Sequence, residues 1–471
     1  MAIIRDRDLL TDWNEIPVNM IDSCIKEHQS GLQRLNTLEN YYMGKHKILD
    51  RTLSNTKLPN NKLVANHAKY ITDVATGYLT GAPVKYDGAS VEAIIDVYDK
   101  IDIDAHDAEL AKDMSVFGHG LEIYYMTNDE NPIPQVALID PRNIFLVLDD
   151  TVESKPLFAC HYYEKKDLDN KVTGFKVNIY TATKVYNYET DSLDSKSRKE
   201  FKLVNESEQY FGDVPVTEFQ NNEESQGDFE QQISLIDAYN LLMSDRVNDK
   251  EQLVDAILVV VNASLGDDEE EMTETAKFIK EHKILELPEG ADAKWLVKSL
   301  NEAEVEILKK AIRDDIHQFS MVPNLTDENF ASNSSGVAMS YKLFGLEQLM
   351  RIKERYFKKG LKERLKLFAN ILAVKAQAVD VSDVKITMTR SLPVNLQEIA
   401  NMIATLDGKV SLETLLAQLP FVDDPATEVE KVEEEKDRNM MRNQEAFGMP
   451  FDQADRPTTE RKAEEVNADE E

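Results

Sequence analysis

Cysteine is scarce in this 471-residue chain, which contains only Cys24 and Cys160. Two cysteines form at most one bridge, which argues against a disulfide framework and a zinc cluster, so we expect two free, buried thiols. Long apolar runs are also missing: the longest, 256–261, has the length of a strand and not the roughly 18 residues of a membrane helix. The opening MAIIRDRDLL lacks a signal-peptide pattern. We therefore expect a soluble protein without a membrane partner, made in a cytosol.

Motifs that carry catalytic chemistry are absent as well. The chain has no HExxH zinc pair, no GxxxxGK[ST] phosphate loop and no GxSxG nucleophile elbow. One cluster superficially resembles a hard-metal site: Asp102, Asp104, His106 and Asp107. No glycine loop or distant glutamate completes a calcium pattern there, so we interpret the cluster as a solvated turn. The sequence thus predicts no catalytic residue, no metal and no cofactor, and any ATPase that works with this protein is another chain.

Positive charge is in deficit, with 54 basic residues against 87 acidic ones and a net charge of −33. Proteins that grip nucleic acid normally carry the opposite sign, because their affinity comes from neutralising phosphates. The balance therefore argues against an ordinary DNA-binding domain. It suits a repelling wall along which DNA slides, and equally an outer surface kept soluble by its charge.

The first half of the chain has a mixed pattern. Residues 1–50 are predicted to be mainly helical, with a helix over 20–42, and residues 91–117 to form two more helices. Gly118 and Gly120 then mark a change to strand periodicity. One meander of strands is predicted over residues 121–127, 134–140, 143–149, 158–163, 171–181 and 184–190. The pattern indicates an α+β domain of about 225 residues in a predominantly helical chain.

Two amphipathic helices follow, with a small insert between them. The first covers about 228–255 and leads into a strand over 256–262. The second begins at Asn301, with Glu304 at the capping-box position, and ends at Val322–Pro323. The apolar residues that we expect to pack these helices are Ile233, Ile236, Met243, Leu308, Ile312 and Ile316. This order predicts a helical pair that carries an α/β insertion.

A polar segment and a basic helix come next. Residues 324–336, NLTDENFASNSSG, favour a loop because their side chains compete for backbone hydrogen bonds. A helix is predicted over 337–379, with Gly345 and Gly360 as candidate kinks. Between Arg351 and Lys366 this helix holds eight basic residues and two acidic ones. A strand over 384–389, helices near 396–406, 411–419 and from about 426, and an acidic tail too polar to fold alone complete the chain.

The segment 58–86, LPNNKLVANHAKYITDVATGYLTGAPVKY, is the most informative string in the chain. It closely resembles the N-terminal signature of portal proteins, the head–tail connectors of tailed bacteriophages, in the branch typical of siphophages of Gram-positive hosts. Residues 411–435 resemble the crown segment of the same branch. The resemblance covers nearly the whole chain and is strongest at 37–86, 227–262 and 391–436.

The resemblance implies the portal fold and a division of the chain. Its parts would be a wing (1–226), a first stem helix (227–255), a clip (256–300), a second stem helix (301–323), a tunnel loop (324–336), a long basic helix with a return strand of the wing (337–390), a crown (391–450) and a disordered acidic tail (451–471). In the tunnel loop, the residues expected to touch passing DNA are Asn329, Asn333, Ser334 and Ser335.

In function, the resemblance implies a non-enzymatic ring of about twelve subunits around a channel for double-stranded DNA. The ring would sit at one capsid vertex of the virion and assemble in the host cytoplasm. Its implied partners are the terminase large subunit, docked at the clip for genome packaging, a head-completion (adaptor) protein for head–tail joining, and the scaffolding and major capsid proteins. DNA ejection would use the same channel.

Two interpretations of the basic helix stay open. Its residues either face the channel and contact phosphate, or pair with acidic residues of a neighbouring subunit, and the acidic chain favours the second. The residues concerned are Arg351, Lys353, Arg355, Lys358, Lys359 and Lys362. The alternative to a portal is a non-viral helical scaffold or adaptor protein that binds an acidic partner through this helix. A hydrolase built on scattered carboxylates is the third class.

Overall fold

The computed structural model divides the chain into two compact units, Met1–Ser391 and Leu392–Glu471. It describes residues 2–10, 12, 14–56, 58–254, 257–264, 266–282, 287–296, 302–326, 336–390, 396–419, 422 and 425–447. The helices of the first unit are α1 (Val18–Tyr42), α2 (His67–Thr80), α3 (Glu92–Ile101), α4 (Ile103–Phe117), α5 (Ile233–Val254), α6 (Glu269–His282), α7 (Glu302–Ser320), α8 (Gly336–Lys342) and α9 (Phe344–Val374). The strands are β1 (Ile3–Arg5), β2 (Lys85–Asp87), β3 (His119–Met126), β4 (Pro134–Ile139), β5 (Ile144–Asp149), β6 (Pro156–Lys166), β7 (Val172–Tyr180), β8 (Lys184–Thr190), β9 (Phe201–Glu208), β10 (Val216–Gln220), β11 (Ile257–Val261), β12 (Asp292–Leu296) and β13 (Lys385–Thr387).

The largest sheet has six strands in the order β1-β5-β6-β7-β8-β9. Strand β1 runs parallel to β5, and the other neighbours are antiparallel. The first half of α1 packs on this sheet: Ile21 and Ile25 share a core with Phe145 and Phe158. Both cysteines are free and buried in the same core, which confirms the expectation for the thiols. Burial raises the pKa of the Cys24 thiol to about 11, so this thiol stays protonated and packs as an apolar group.

A second sheet corrects the prediction of a single meander. Strand β3 pairs with β10 on one side and with β4 on the other, in the order β10-β3-β4, and none of the three pairs with β6–β9. The turn after β4 separates the sheets, since Asn143 and Arg142 donate their backbone N–H groups to Asp140. Strand β9 escaped prediction because almost all of its residues are exposed, so its sequence lacks the alternation that a half-buried strand shows.

The helices enclose the main core of the first unit, which lies against one face of the β10-β3-β4 sheet. Helices α2, α4 and α9 contribute Ile71, Leu110, Phe357 and Leu361 to it. Gly118 ends α4 with φ +87°, a left-handed conformation that favours glycine, and the chain then enters β3. The predicted change from helix to strand at Gly118 is thus confirmed.

The long helix predicted over 337–379 is interrupted and shorter than expected. It consists of α8 and α9, which are separated at Leu343 and end at Val374. Gly345 lies close to this interruption. Gly360 lies inside the unbroken α9, so it is not a helix end; it allows close packing instead, because a Cβ there would lie 2.4 Å from the ring of Phe219 on β10.

Alanine at the two glycines of α9 is expected to have opposite effects. Gly360→Ala forces Phe219 aside and should lower the free energy of unfolding by about 1–3 kcal/mol. Gly345→Ala, the matched control, places its Cβ 3.7 Å from Met321 and should be neutral or stabilising by up to about 1 kcal/mol. Denaturant midpoints of the two variants measure this. Equal midpoints would contradict the packing assigned to Gly360.

Most of the remaining elements agree with the sequence patterns, whereas the strands β1, β2, β10 and β12 were not predicted. Strands β11 and β12 form an antiparallel pair around α6, and β13 pairs with β2. The second unit contains α10 (Leu396–Leu406), α11 (Leu412–Leu416) and α12 (Pro425–Phe447), and Ser411 caps α11 as predicted, by accepting the N–H of Thr414. Among the described residues, no helix is both long and apolar enough to cross a bilayer. The predicted fold class, α+β with mostly helices, is confirmed.

Candidate functional site

Helices α5 and α7 form an antiparallel pair fixed by ion pairs. Arg246 donates to Glu302 at 2.9 Å and to Glu306 at 2.8 Å, and Lys250 lies 3.3 Å from Glu302. Later positions on α5 thus face earlier positions on α7, which sets the direction and register of the pair. All of these carboxylates are about half exposed, so the ion pairs align the helices more than they stabilise them.

The residues predicted to pack this helical pair divide into two groups. Ile236 and Ile316 are fully buried, and the side chains that are partly buried against the same core are Ile233, Met243 and Ile312. Leu308 is different: it is 50% exposed in the single chain, so the expectation of burial within the chain is wrong for it. The reason is geometric, because Leu308 lies on the face of α7 that turns away from the core.

An exposed apolar stripe therefore runs along α7. Leu308 and Phe319 are eleven positions apart, three helical turns, so they share one face of the helix. Phe319 is 61% exposed, and the adjacent Ile307 is 69% exposed. Asp315, two turns after Leu308, interrupts this face, so the two exposed apolar side chains form a candidate surface for contact with another chain and not a continuous patch.

A row of polar side chains on α5 holds the extended segment 61–65. The backbone N–H groups of Asn61, Leu63 and Ala65 donate to three α5 side chains, at 2.7, 2.9 and 2.8 Å. The acceptors, in the same order, are Asn248 Oδ1, Ser244 Oγ and Asn240 Oδ1. Two residues of extended chain span about 6.6 Å and four residues of helix about 6 Å, so the two spacings match. We call this row the polar ladder.

The polar ladder explains the asparagine-rich start of the 58–86 segment. Asn240 and Ser244 are fully buried and Asn248 is 5% exposed, so each partly buried backbone N–H has a fixed side-chain acceptor. Asn61 adds bonds from its own amide to Asn248 and Glu251, each at 2.9 Å. Sequence reasoning missed this feature, although polar residues every four positions on an otherwise amphipathic helix are a readable signal.

Replacing one rung of the polar ladder tests its contribution. Ser244→Ala removes the acceptor of the Leu63 N–H and should lower the free energy of unfolding by about 1 kcal/mol, since a partly buried donor loses its protein acceptor. Ser234→Ala, an exposed serine on the same helix, should change it by less than about 0.5 kcal/mol. Urea unfolding of both variants measures the difference, and equal stabilities would refute the assigned role.

The basic helix α9 buries two of its cations. The Lys353 ammonium donates to Asp228 and to the Ser115 hydroxyl, both at 2.6 Å, and is 1% exposed. Its burial corrects the prediction for this residue: Lys353 contacts neither phosphate nor a neighbouring subunit in this structure, because its charge is neutralised inside the chain. The sequence pattern did not predict the burial of Lys353. Side chains along a helix point in successive directions around its axis, so some residues of a basic run face the core.

Arg364 forms the centre of a larger buried charge cluster. Its guanidinium donates to Glu122 at 2.9 and 2.7 Å and to Asp107 at 2.6 Å, and it is fully buried. His106 and Tyr124 also bond to Glu122. Burial alone would raise the pKa of Glu122, but the charge of Arg364 and the hydrogen bonds from His106 and Arg364 outweigh it and lower the pKa to about 2. We call these five residues the Arg364 cluster.

The Arg364 cluster corrects the interpretation of residues 102–107 as a solvated turn. Asp102 connects α3 to α4, and Asp104 lies in the first turn of α4. His106 and Asp107 instead point into the buried cluster. Within the described part of the chain, no group of three histidine, cysteine, aspartate or glutamate side chains is placed to hold a metal ion.

The other predicted basic residues of α9 lie at its surface. Those that are exposed recur every three or four positions: Arg351, Arg355, Lys359 and Lys362. Arg351 bonds to Glu347 at 3.1 Å, and Lys358, which is half-buried, bonds to Glu354 at 2.5 Å. The exposed four form one basic stripe along the helix, whereas the predicted DNA-contacting residues Asn329, Asn333, Ser334 and Ser335 lie outside the described residues.

Comparison with known proteins decides the family. The family model "Phage portal protein, SPP1 Gp6-like" matches residues 21–441. The chain belongs to this family of phage portal proteins. The resemblance noted in the sequence is thereby confirmed, and the general role of a portal protein comes with it. The matched range includes the polar ladder, the Arg364 cluster and the α5–α7 pair.

Two curated portal proteins are similar to this chain. The portal protein of Bacillus phage SPP1 is 25% identical over 450 residues, which are 89% of this chain and 87% of that protein. The portal protein of Clostridium phage phiCD119 is 27% identical over 224 residues, which are 47% of this chain and 48% of that protein.

Among solved structures, a chain in the "Virion of native gene transfer agent (GTA) particle" covers 75% of this chain and 89% of its own length, at 13% identity and a TM-score of 0.42. A chain in the "Neck of native GTA particle computed with C12 symmetry" shows 11% identity and a TM-score of 0.38, with 75% and 89% covered. At these scores the likeness carries no further conclusion for this portal family member.

Proposed function

We propose that copies of this chain close into a ring of about twelve around a channel for double-stranded DNA, at one vertex of the capsid. Genome packaging and ejection use this channel, and the protein acts as a structural conduit without catalysing a reaction. Membership of the portal family supports the role. The exposed apolar stripe on α7 carries the proposal for assembly, because a second copy of the chain is the partner that a ring supplies to every subunit.

The parts of the chain take the roles that the family order implies. Helices α5 and α7 act as the stem that holds the channel diameter, and residues 1–226 act as the wing on the outer body of the ring, facing the scaffolding and major capsid proteins. The polar ladder joins wing to stem. Residues 391–450 act as the crown, and 451–471 as an acidic tail.

The clip, residues 256–300, is the proposed docking surface for the terminase large subunit and, after packaging, for the head-completion protein. Its described part supports a contact role, since α6 exposes Met272 and Phe278, which are 48% and 52% accessible. The exposed acidic run 267–271 lies beside them. Apolar residues within a charged rim are typical of an interface that forms and later separates.

The exposed basic stripe on α9 is proposed to pair with acidic residues of the next subunit. The chain carries 87 acidic residues against 54 basic ones, so most surfaces that the stripe could meet are negative. Contact with DNA phosphate is the other function considered for this stripe. The two functions predict different responses to salt. If ring assembly weakens steeply as the salt concentration rises while DNA passage is unchanged, the result favours the pairing between subunits.

The proposed tunnel loop is tested by replacing three of its polar residues. We expect the triple variant Asn333→Ala, Ser334→Ala and Ser335→Ala to assemble normally but to package less DNA, because short-lived hydrogen bonds to phosphate are lost. Nuclease-protected DNA per particle in an in vitro packaging reaction measures the effect, and electron microscopy of the purified rings provides the assembly control. Unchanged packaging would count against the assignment of this loop.

A further inference from the structure

A cavity of about 300 Å³ lies where the start of α2, the last turns of α7 and residues 324–326 meet. No role in the preceding account depends on it. Its walls carry mostly polar and cationic side chains: Asn66, His67, Tyr70, Arg313, His317 and Thr326. All of them belong to the first compact unit, so the cavity is a feature of one folded body.

Arg313 places a positive charge with few hydrogen-bond acceptors at this cavity. Its side chain is 31% exposed, and within the described part of the chain its one ion pair joins Nη2 to Asp314 at 3.4 Å, a long contact. The Nε atom is buried, and the described residues offer it no acceptor. A guanidinium has five N–H donors arranged in a plane that matches the oxygens of a phosphate group, so this side chain is equipped to bind an oxyanion.

Two imidazoles share the cavity with Arg313. The rings of His67 and His317 lie 5.6 Å apart, edge to face, and His317 Nδ1 lies 3.0 Å from the carbonyl oxygen of Val322. Burial, with smaller contributions from the neighbouring His317, Arg313 and His46, lowers the pKa of His67 to about 4. Burial also lowers the pKa of His317, with Arg313 acting in the same direction and Asp314 against it. Both imidazoles are therefore neutral near pH 7, and Arg313 supplies the positive charge of the cavity.

The backbone adds to this positive potential. Helix α2 begins at His67, with Asn66 as its N-cap, and both residues line the cavity. The N-terminal end of a helix carries a partial positive charge that favours anions. Tyr70 of α2 connects this helix to the segment after α7, since its hydroxyl donates to the Pro323 carbonyl and accepts the N–H of Leu325. The cavity is thus held in shape by bonds that a ligand does not need to break.

We propose that this cavity binds a phosphate oxyanion through the Arg313 guanidinium. The source that we assign is a phosphodiester of DNA, and that assignment rests on the proposed portal function, whereas the oxyanion site itself does not. A single recessed cation in a chain of net charge −33 attracts a phosphate only at short range, because the negative charge of the chain as a whole opposes it further away. Such a site provides a weak, local hold on a polymer that must keep moving.

Inorganic phosphate is the probe for the site itself. In the presence of the full-length protein, the ³¹P resonance of phosphate should broaden as the ion exchanges with the cavity. Arg313→Gln should lower the apparent phosphate affinity about tenfold or more, because it removes the charge-assisted donors. Lys166→Gln makes the same charge change at an exposed position paired with Glu164 and should leave the broadening unchanged. Should Arg313→Gln fail to fold, Arg313→Lys, which keeps the charge but loses the planar fork, should weaken binding by a smaller factor.

A second arm identifies the source of the phosphate. Adding a short DNA duplex should sharpen the ³¹P line in the wild-type protein by displacing phosphate. Equal broadening in the wild type and in Arg313→Gln would overturn the site, whatever the oligomeric state proves to be. Broadening that depends on Arg313 but that duplex DNA does not relieve would support the oxyanion site and overturn its assignment to DNA.

Discussion

Replacing Arg364 with methionine is expected to lower the free energy of unfolding by about 3–5 kcal/mol, the largest stability effect of any single change considered for this chain. Methionine fills much of the same volume but supplies no charge. Asp107 and Glu122 would then lie buried without a cation, although His106 and Tyr124 still bond to Glu122. Removing one partner of a buried ion pair leaves the other charge uncompensated, which costs far more than the loss of a surface pair.

Arg351→Met on the same helix is the matched control. Arg351 is 64% exposed and pairs with Glu347, so its loss should cost about 0–1 kcal/mol. Urea unfolding monitored by circular dichroism compares the two variants. If Arg364→Met proves as stable as Arg351→Met, the Arg364 cluster does not stabilise the fold in the way described.

The pH dependence of the Arg364→Met defect provides a second readout. In the folded wild type the pKa of Glu122 is lowered to about 2, below its value of about 4.3 in an unfolded chain. Glu122 therefore contributes stability that is complete above about pH 4.3 and is lost as the pH falls toward 2. In Arg364→Met, burial without the guanidinium raises the pKa of Glu122 above its unfolded value. The deficit relative to the wild type should therefore begin to narrow above pH 4.3 and continue to narrow as the pH falls toward 2, and a constant deficit would indicate a packing defect instead.

Replacing Leu308 with aspartate is expected to abolish ring assembly while the single chain stays folded. Leu308 is half exposed, so a carboxylate there meets water in the lone subunit and costs little. In a ring the same side chain would be buried against the neighbouring subunit, where an unpaired charge is strongly unfavourable. The stripe that Leu308 forms with Phe319 repeats in every subunit, so the defect is multiplied around the ring.

Leu168→Asp is the matched control for this prediction. Leu168 is fully exposed and lies in the turn between β6 and β7, away from the stripe. Size-exclusion chromatography and circular dichroism together separate assembly from folding: Leu308→Asp should elute as a folded single chain, and Leu168→Asp as the assembled particle. A Leu308→Asp protein of wild-type size would refute the role of the stripe.

The parts of the fold that could be predicted are those with a strong period. Helices α5 and α7 carry an apolar residue every three or four positions, and β11 is a short apolar run, so their existence and order followed from the sequence. The portal signature at 58–86 identified the family. Exposed strands such as β9 and the division into two sheets could not be predicted, because pairing partners are set by contacts distant in sequence.

The charges were harder to assign than the apolar residues. A basic run on a helix is typical of a solvated face, yet Lys353 and Arg364 are buried. Their charges are neutralised by carboxylates that lie far away in sequence: Asp228 for Lys353, and Asp107 and Glu122 for Arg364. The same limit applies to the cavity at Arg313, whose walls come from three separate segments. Leu308 shows the converse: a regular apolar period predicts a buried face but does not say whether the same chain or another copy buries it.

The mass of the purified, full-length protein tests the central claim most directly. Multi-angle light scattering should give a particle of about twelve copies of a 53.6 kDa chain, roughly 0.6 MDa, and electron micrographs should show rings with an open centre. An adaptor or hydrolase of this sequence would be far smaller. A lone chain or a compact two-fold dimer, under conditions that favour assembly, would contradict the account.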